Sequence, residues 1–292
     1  MPEHPTLSIL TVSYQTATEV ARLVESLHAH PPSCDWHLVI VDNASPDRSG
    51  PSLAAKYADD PTVTVRLSDT NRGFGQANNW AAGMCDSEYL AIVNPDCIVE
   101  ADSFDGCIAF LKTHPEVGVV GPRFFDPSGE PQAWVRNFPN PWAGLGGRQS
   151  FLRRLWPDNP FSRSYLLEDD SDNDGPRLCD WVVGTVMVVR RDEFLAIGGF
   201  DPDFFLYWED CDLCWRYWKL SGLRTAFIPS GRIVHHAEAA SRKVKPFAIR
   251  HFNRAAYLLV RKHLYPSPWH PLRWFAWFAL GLRARIQLWR AR

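Results

Sequence analysis

Four polar clusters in this 292-residue chain combine residue types able to bind, polarise or deprotonate a ligand. Asp42-Asn43-Ala44-Ser45 closes an apolar run. Its carboxylate can accept hydrogen bonds from a pyrimidine ring or a ribose, and the same residues can equally form an Asx turn or a helix cap. Asn94-Pro95-Asp96 closes a second run. Hard divalent cations take one or two protein carboxylates plus phosphate oxygens, which suits Asp96, although a lone Asp after Pro is also a common turn residue. Trp208-Glu209-Asp210-Cys211-Asp212 sets acids among Phe204, Phe205, Tyr207, Trp215, Tyr217 and Trp218. Apolar surroundings raise a carboxylate pKa, which suits a general base, while one of these acids could instead form a helix salt bridge with Arg216. His235-His236 follow the run 232–234 and can complete a metal site, touch a phosphate or sit as satisfied turn residues. Together these groups supply what displacement of a nucleoside diphosphate requires: a nucleotide pocket, a cation on the leaving group and a base for the attacking hydroxyl.

These residues must be positioned by regular elements. Apolar patterning predicts strands at 7–13, 36–41, 63–67 and 89–93, and helices at 18–28, 52–57 and about 76–83. Such alternation over the first hundred residues implies βαβ units and a mostly parallel central sheet flanked by helices. Ligands in such sheets sit beyond the carboxyl ends of the strands, where Ser13-Tyr14, Asp42-Asn43 and Asn94-Asp96 all fall. Further on, a strand is expected at 182–190, a turn leading into an aromatic-rich helix over 201–220, and two helices at 247–263 and 269–292. Between them, about 126–178 reads as a long irregular insertion with an acidic run at 168–174. The organisation expected is one domain over 1–240 and a C-terminal helical region over 241–292.

The segment Asn71-Arg72-Gly73-Phe74-Gly75-Gln76-Ala77-Asn78-Asn79 follows the third strand, not the first, and lacks the third glycine of a dinucleotide fingerprint, which argues against a nicotinamide oxidoreductase. Its backbone N–H groups at a helix start can still cradle a ligand. Cys211 and Cys214 have no second pair at zinc spacing. Seven cysteines cannot pair completely within one chain, and they read as buried thiols of a reducing compartment. Residues 1–8 lack the basic and apolar regions of a secretory signal, so a cytoplasmic protein is expected. Hydrophobic residues at 46% and charged residues at 22% exclude a disordered chain, and a net charge of −2 argues against nucleic acid as a partner.

Taken together, Thr11-Val12-Ser13-Tyr14, Val41 to Ser45, Asn71 to Asn79, Asn94-Pro95-Asp96, Gly198-Gly199-Phe200-Asp201 and Phe204 to Leu213 resemble glycosyltransferase family 2, and within it the rhamnosyltransferase-like branch. The resemblance spans roughly residues 7–265. It implies a GT-A fold, an inverting single displacement, and Mg²⁺ or Mn²⁺ as cofactor. By this resemblance Asp210 is the base, supported by Glu209, and Asp96 holds the metal with His235 or His236. Ser13, Tyr14, Asp42, Asn43, Asn71, Arg72, Gly73, Asn78 and Asn94 would line the nucleotide-sugar site. Two departures stand out: Gln15 replaces a common Asn, and Asn94 replaces the first acid of a full DxD motif. The donor implied is dTDP-L-rhamnose, with another UDP- or dTDP-sugar as the alternative, and the acceptor is a bacterial surface glycan or lipid-linked precursor. A pyrophosphorylase is disfavoured because residues 13–19 lack a glycine-rich, basic loop for triphosphate; a non-catalytic sugar-nucleotide-binding subunit would not need the Glu209-Asp210 pair.

The last segment adds an independent expectation. Residues 269–292 hold Trp269, Trp274, Phe275, Trp277, Phe278 and Trp289 with five arginines and no acid. This pattern reads as an interfacial helix on the inner face of the cytoplasmic membrane, or as a helix packed on the domain or on a second subunit. The whole reading requires Asp42, Asp96 and Asp210 to converge.

Overall fold

The computed structural model describes residues 5–132, 135–139, 155–156, 175–236 and 245–291; most of the expected insertion lies outside them. Strands β1 (Leu7–Ser13), β2 (Trp36–Asp42), β3 (Val63–Leu67) and β4 (Tyr89–Val93) alternate with helices α1 (Ala17–Ala29), α2 (Ser49–Lys56) and α3 (Phe74–Gly83). Every residue of β1 and β4 is buried, as continuous apolar runs covered on both faces must be. Helix α1 covers the sheet with Val20, Leu23, Val24 and Leu27, one face of a 3.6-residue period. These four strands pair in parallel in the order β3-β2-β1-β4, and the register sets Ser13 opposite Asp42. Two strand ends carrying nominated residues therefore lie side by side.

Beyond β4 the sheet becomes mixed. It continues through β10 (Val186–Arg190), β6 (Val117–Phe125), β11 (Arg224–His235) and β5 (Cys97–Val99), with β8 (Arg177–Cys179) also on β11; helix α4 (Asp105–Thr113) lies between β5 and β6 in the chain. Strand β10 runs antiparallel to both β4 and β6, so its N-terminal end stands beside the C-terminal end of β4. A small second sheet pairs β7 (Val135–Arg136) with β9 (Trp181–Val182). The expected continuous strand 182–190 is thus divided. Val182 belongs to the small sheet, and the intervening Gly184 and Thr185 engage Asp210 and Asn94 instead of a neighbouring strand.

Helix α5 (Arg191–Ala196) follows β10. Residues 201–208 then form a turn before α6 (Glu209–Arg216), which continues as one π turn, Tyr217–Ser221, and stops at Gly222 in the left-handed region (φ 69°). The C-terminal helices are α7 (Lys245–Leu259), extended by a π turn at Val260–Leu264, and α8 (Pro271–Arg290), with Pro271 in the first turn. The π turn ties this pair to the rest. Lys262 Nζ donates to Asp201 (2.5 Å) and Asp203 (2.7 Å). His263 Nε2 meets Asp212 Oδ1 at 2.7 Å, and because a carboxylate only accepts, this nitrogen carries the proton. Asp212 Oδ2 also receives Arg216 Nε at 2.7 Å, so Asp212 is the acid that forms the helix salt bridge.

Asp212 is fully buried between two donors, and removing it would strand His263 and leave Arg216 with only the Ile197 carbonyl among the described residues. Asp212→Ala is expected to destabilise the fold by about 3–5 kcal/mol, read as a lower denaturation midpoint.

Candidate active site

The first wall of the site is built at the ends of β1 and β2. Asp42 is buried; its Oδ2 accepts the Ser45 N–H at 3.0 Å, whereas Oδ1 is buried with no partner among the described residues. A buried acceptor left open is costly unless a donor arrives, which fits a ligand N–H or O–H. Asn43 and Asn71 spend their side chains on the backbone of the next loop. Asn43 Nδ2 donates to Asn71 Oδ1 (3.0 Å) and Gly73 O (3.2 Å), and its Oδ1 accepts the Arg72 N–H (2.9 Å). Asn71 Oδ1 also accepts the Gly73 N–H (3.0 Å), so these two side chains shape the loop. Asn78 is fully buried with Nδ2 bonded back along its own helix to Phe74 O (3.0 Å), while its Oδ1 has no partner among the described residues. Arg72 lies over Trp80 (5.1 Å) with Nε on Ser68 Oγ, and Tyr14 is exposed at the strand end. Ser13 is buried, sharing a hydrogen bond with Thr16.

Gly73 explains how this loop reaches the acid-bearing turn. It sits at φ 78°, and a Cβ there would fall 2.2 Å from Phe205 O, the atom that accepts the Phe74 N–H at 2.9 Å. Only glycine satisfies both requirements.

At the end of β4, Asn94 N–H donates to Thr185 O (2.9 Å), and Asp96 follows. Strand β11 delivers two histidines to the same place: His235 pairs with Cys97, and the His236 N–H donates to Asp96 O (3.0 Å). His235 Nε2 is 3.4 Å from Asp96 Oδ1, while its Nδ1 meets Gln132 Oε1 at 3.1 Å. An amide oxygen accepts, so Nδ1 carries the proton and Nε2 offers a lone pair beside the carboxylate. Asp96 Oδ1 and His235 Nε2 form a donor set suited to a divalent cation that also takes phosphate oxygens. No cluster of three or more His, Cys, Asp or Glu able to hold a metal occurs among the described residues, so such a cation would need ligands from the substrate. Gln132, which orients His235, gave no sequence signal: it is a lone amide in an irregular stretch.

The acid pair stands next to this group through a short relay of backbone bonds. Gly184, one residue before the Thr185 that binds Asn94, donates its N–H to Asp210 Oδ2 at 2.8 Å. The close approach uses the missing side chain, since a Cβ on Gly184 would lie 3.1 Å from Asp210 Cβ. Asp210 Oδ1 accepts the Cys211 N–H at 2.7 Å. The turn that aims the pair is strained: Tyr207 and Trp208 both occupy the left-handed region, at φ 70° and 67°. Aromatic packing holds it there, with Phe252 of α7 against Tyr207 (5.7 Å) and Trp208 (5.5 Å), and Trp181 against Trp208 (6.1 Å).

Burial raises the pKa of both acids, unequally. Glu209 is pushed up to about 8 by burial and then by the adjacent Asp210, and its Oε2 has no partner among the described residues. Asp210 is raised by burial but held back by the Gly184 and Cys211 N–H groups and by the Arg136 guanidinium. The donors on Asp210 make it the readier of the two to ionise, and Glu209 the readier to keep its proton. Arg136, which sequence reasoning missed, lies over Trp181 at 5.5 Å. It is fixed there by the β7–β9 pairing and by the Phe138 N–H on Asp180 Oδ2 (2.7 Å). Its sequence signal was a single Arg inside an unpatterned insertion. Cys211 and Cys214 are buried thiols with pKa values raised by that burial, consistent with neither zinc nor redox use.

Comparison with known proteins places this geometry. A model of glycosyl transferase family 2 matches residues 8–169, more than half the chain. The N-acetylglucosaminyl-diphospho-decaprenol L-rhamnosyltransferase of Mycobacterium tuberculosis is 27% identical over 97% of this chain and 92% of its own length. The rhamnosyltransferase WbbL of Escherichia coli K12 is 25% identical over 88% and 93%. Among solved structures, GalNAc-T7 with UDP, GalNAc and Mn²⁺ superposes with a TM-score of 0.62 at 15% identity, covering 93% of this chain and 54% of that one. The mannosyltransferase PcManGT of Pyrobaculum calidifontis, in complex with GDP-Man and Mn²⁺, gives 0.58 at 17% identity, covering 98% and 73%. At such identities the structures establish the fold alone. With sequence and fold in agreement, the chain belongs to glycosyl transferase family 2 and has the GT-A fold.

Proposed function

We propose that this glycosyltransferase moves L-rhamnose from dTDP-L-rhamnose to a hydroxyl of a lipid-linked glycan precursor, with inversion, at the inner face of the cytoplasmic membrane. The observation that carries the chemistry is the relay Asn94–Thr185–Gly184–Asp210, which ties the Glu209-Asp210 pair to the same end of the sheet as Asp96 and His235. The two relatives named rhamnosyltransferases support the donor, and the decaprenol-linked substrate in one of those names supports the acceptor class.

In this reading the unpartnered Oδ1 of Asp42 takes a hydrogen bond from the nucleoside. Asp96 and His235 would hold Mg²⁺ or Mn²⁺ with the donor's phosphates; when bound, the cation neutralises charge growing on the leaving diphosphate. His236 supports Asp96 through its backbone N–H. Ionised Asp210 accepts the acceptor's proton as its oxygen attacks the anomeric carbon. Protonated Glu209, an O–H donor without a partner among the described residues, orients that oxygen or its neighbour.

Asp210→Asn is expected to lower transfer by roughly a thousandfold while leaving donor affinity nearly unchanged. Because Asp210 acts ionised and its pKa is raised, transfer should fall as pH drops through values above the ordinary carboxylate range. A second loss is expected on the alkaline side near pH 8 as Glu209 ionises, and Glu209→Gln should abolish that limb while keeping the acid one. Arg136→Gln removes a cation that stabilises ionised Asp210, so the acid limb should move to higher pH; an unmoved limb would separate Arg136 from the base. In thermal-shift measurements with Mn²⁺, dTDP-L-rhamnose is expected to raise the denaturation midpoint more than other nucleotide sugars, and Asp42→Ala to remove that gain. Equal shifts for all donors would refute the choice of rhamnose.

A further inference from the structure

We propose that the outer face of α8 is a docking surface for anionic lipid, and that it sets the orientation of the acid-bearing turn relative to the membrane. The docking itself stands apart from the choice of donor; its consequence for the acceptor rests on the function proposed above.

Helix α8 is amphipathic the wrong way round for a helix that only covers a core. None of its residues is fully buried. It meets α7 through a narrow, mostly small or polar stripe, in which Ala276, Leu280, Ala284 and Gln287 are half-buried and Gln287 Oε1 accepts the Asn253 amide at 3.1 Å. The opposite side carries the large apolar groups. Trp274, Phe278, Leu282 and Ile286, at four-residue spacing, are all exposed, Phe278 at 62%. Phe275 and Trp277 widen the strip on either side, and Trp289 at 75% and Trp269 at 89% extend it at the two ends. Leaving so many aromatic side chains in water would be costly, and an apolar face this continuous marks an interaction surface.

Charge identifies the occupant. Residues 239–292 contain twelve Lys and Arg and no Asp or Glu, so the preceding residues, with the other nineteen cations and all thirty-three acids, carry a formal charge of −14. Arg285 and Arg290 are exposed on α8, as are Arg250 and Arg254 on α7. An aromatic strip edged by arginines, on a chain end without a single acid, complements an anionic headgroup layer with acyl chains beneath. The same charges oppose a symmetric pairing of two copies through this face, which would bring arginine against arginine. No helix among the described residues is long and apolar enough to cross a membrane, so the contact is interfacial.

The surface is mechanically linked to the site. Helix α7, on which α8 packs, supplies the Phe252 that holds Tyr207 and Trp208, and its π turn supplies the His263 that binds Asp212. Docked lipid would therefore fix the height of Glu209 and Asp210 above the headgroups, where the hydroxyl of a lipid-linked acceptor must be presented.

The full chain is tested by flotation with vesicles of phosphatidylglycerol mixed with phosphatidylcholine, and with phosphatidylcholine alone. Binding is expected to the anionic vesicles and to weaken with added salt. Trp274→Ser/Phe278→Ser/Trp289→Ser should weaken it about tenfold or more, and Arg285→Glu/Arg290→Glu should weaken it on anionic vesicles only. These side chains are exposed, so circular dichroism and turnover of a water-soluble acceptor analogue should be unchanged in both variants. Failure of the wild type to float, equal binding by wild type and the triple-Ser variant, or conversion of a dimer to a monomer by that variant without any change in vesicle binding would each overturn the proposal. Vesicle binding by a wild-type chain that transfers no sugar would instead leave the docking surface standing and remove the functional reading.

Discussion

Placing Glu209 next to Asp210 in an aromatic shell is the constraint on which the site depends. Two adjacent carboxylates cannot both stay ionised with burial and mutual repulsion against them, so the surroundings must decide which gives way. They decide through donors. Asp210 receives the N–H of Gly184 and of Cys211 and the field of Arg136, whereas Glu209 Oε2 receives nothing among the described residues. The preference for Asp210 as the anion of the pair follows from the backbone path of residues 183–185. That path is available because β10 begins only at Val186 and runs antiparallel to β4, leaving Gly184 free to turn toward α6.

The acid pair also explains the C-terminal helices. Two consecutive non-glycine residues in the left-handed region cost roughly 1–3 kcal/mol each and persist only when packing enforces them. The enforcing contacts come from α7, through Phe252 on Tyr207 and Trp208, and through His251 on Phe205 at 4.8 Å. The third acid of the cluster, Asp212, is then the anchor that keeps α7 in place through His263. Three acids close in sequence thus serve two sides of α6, the proposed chemistry on one and attachment on the other. Helical spacing separates them, because Asp210 and Asp212 lie about 200° apart around the axis.

Much of the first half was legible because its signals are local. Strands 7–13, 63–67 and 89–93 coincide with β1, β3 and β4: β4 is an unbroken, buried apolar run, β1 is buried and mostly apolar, and the partly exposed β3 alternates Val63, Val65 and Leu67 with Thr64 and Arg66. The polar residues after those runs were found for the same reason. What could not be read was how each polar group is spent. Asn43 and Asn71 look like ligand contacts in sequence, yet they bond one another across 28 positions, a pairing set by the βαβ crossover. Which acid takes Arg216 was open until the fold put His263 beside Asp212 as well. Arg136 and Gln132 reach the site from an unpatterned segment, 74 and 103 positions from Asp210 and His235 respectively, so neither periodicity nor motif points to them. The break in the expected strand at 182–190 has the same origin: Val183, Gly184 and Thr185 sit in a run of β-formers, and only tertiary hydrogen bonding withdraws them from the ladder.

The replacement of a first acid by Asn94 takes on physical meaning in this setting. In the proposed site, a carboxylate at 94 would add negative charge to the turn that carries Asp96 and that is tied through Thr185 and Gly184 to Asp210, the proposed base, whose pKa burial already raises. Each added anion would push that base higher and slow deprotonation of the acceptor at neutral pH. Asn94 keeps the backbone turn, donating its N–H to Thr185 O, without that charge. In the proposed metal site it would give up a strong oxygen ligand, and His235, oriented by Gln132 with Nε2 toward Asp96, would offer a nitrogen in its stead. A neutral donor binds a divalent cation less strongly than a carboxylate does, so more of the cation's coordination must come from the phosphates of the donor itself. Metal and nucleotide sugar would then bind as a unit, each weak without the other, which couples filling of the leaving-group site to arrival of the substrate.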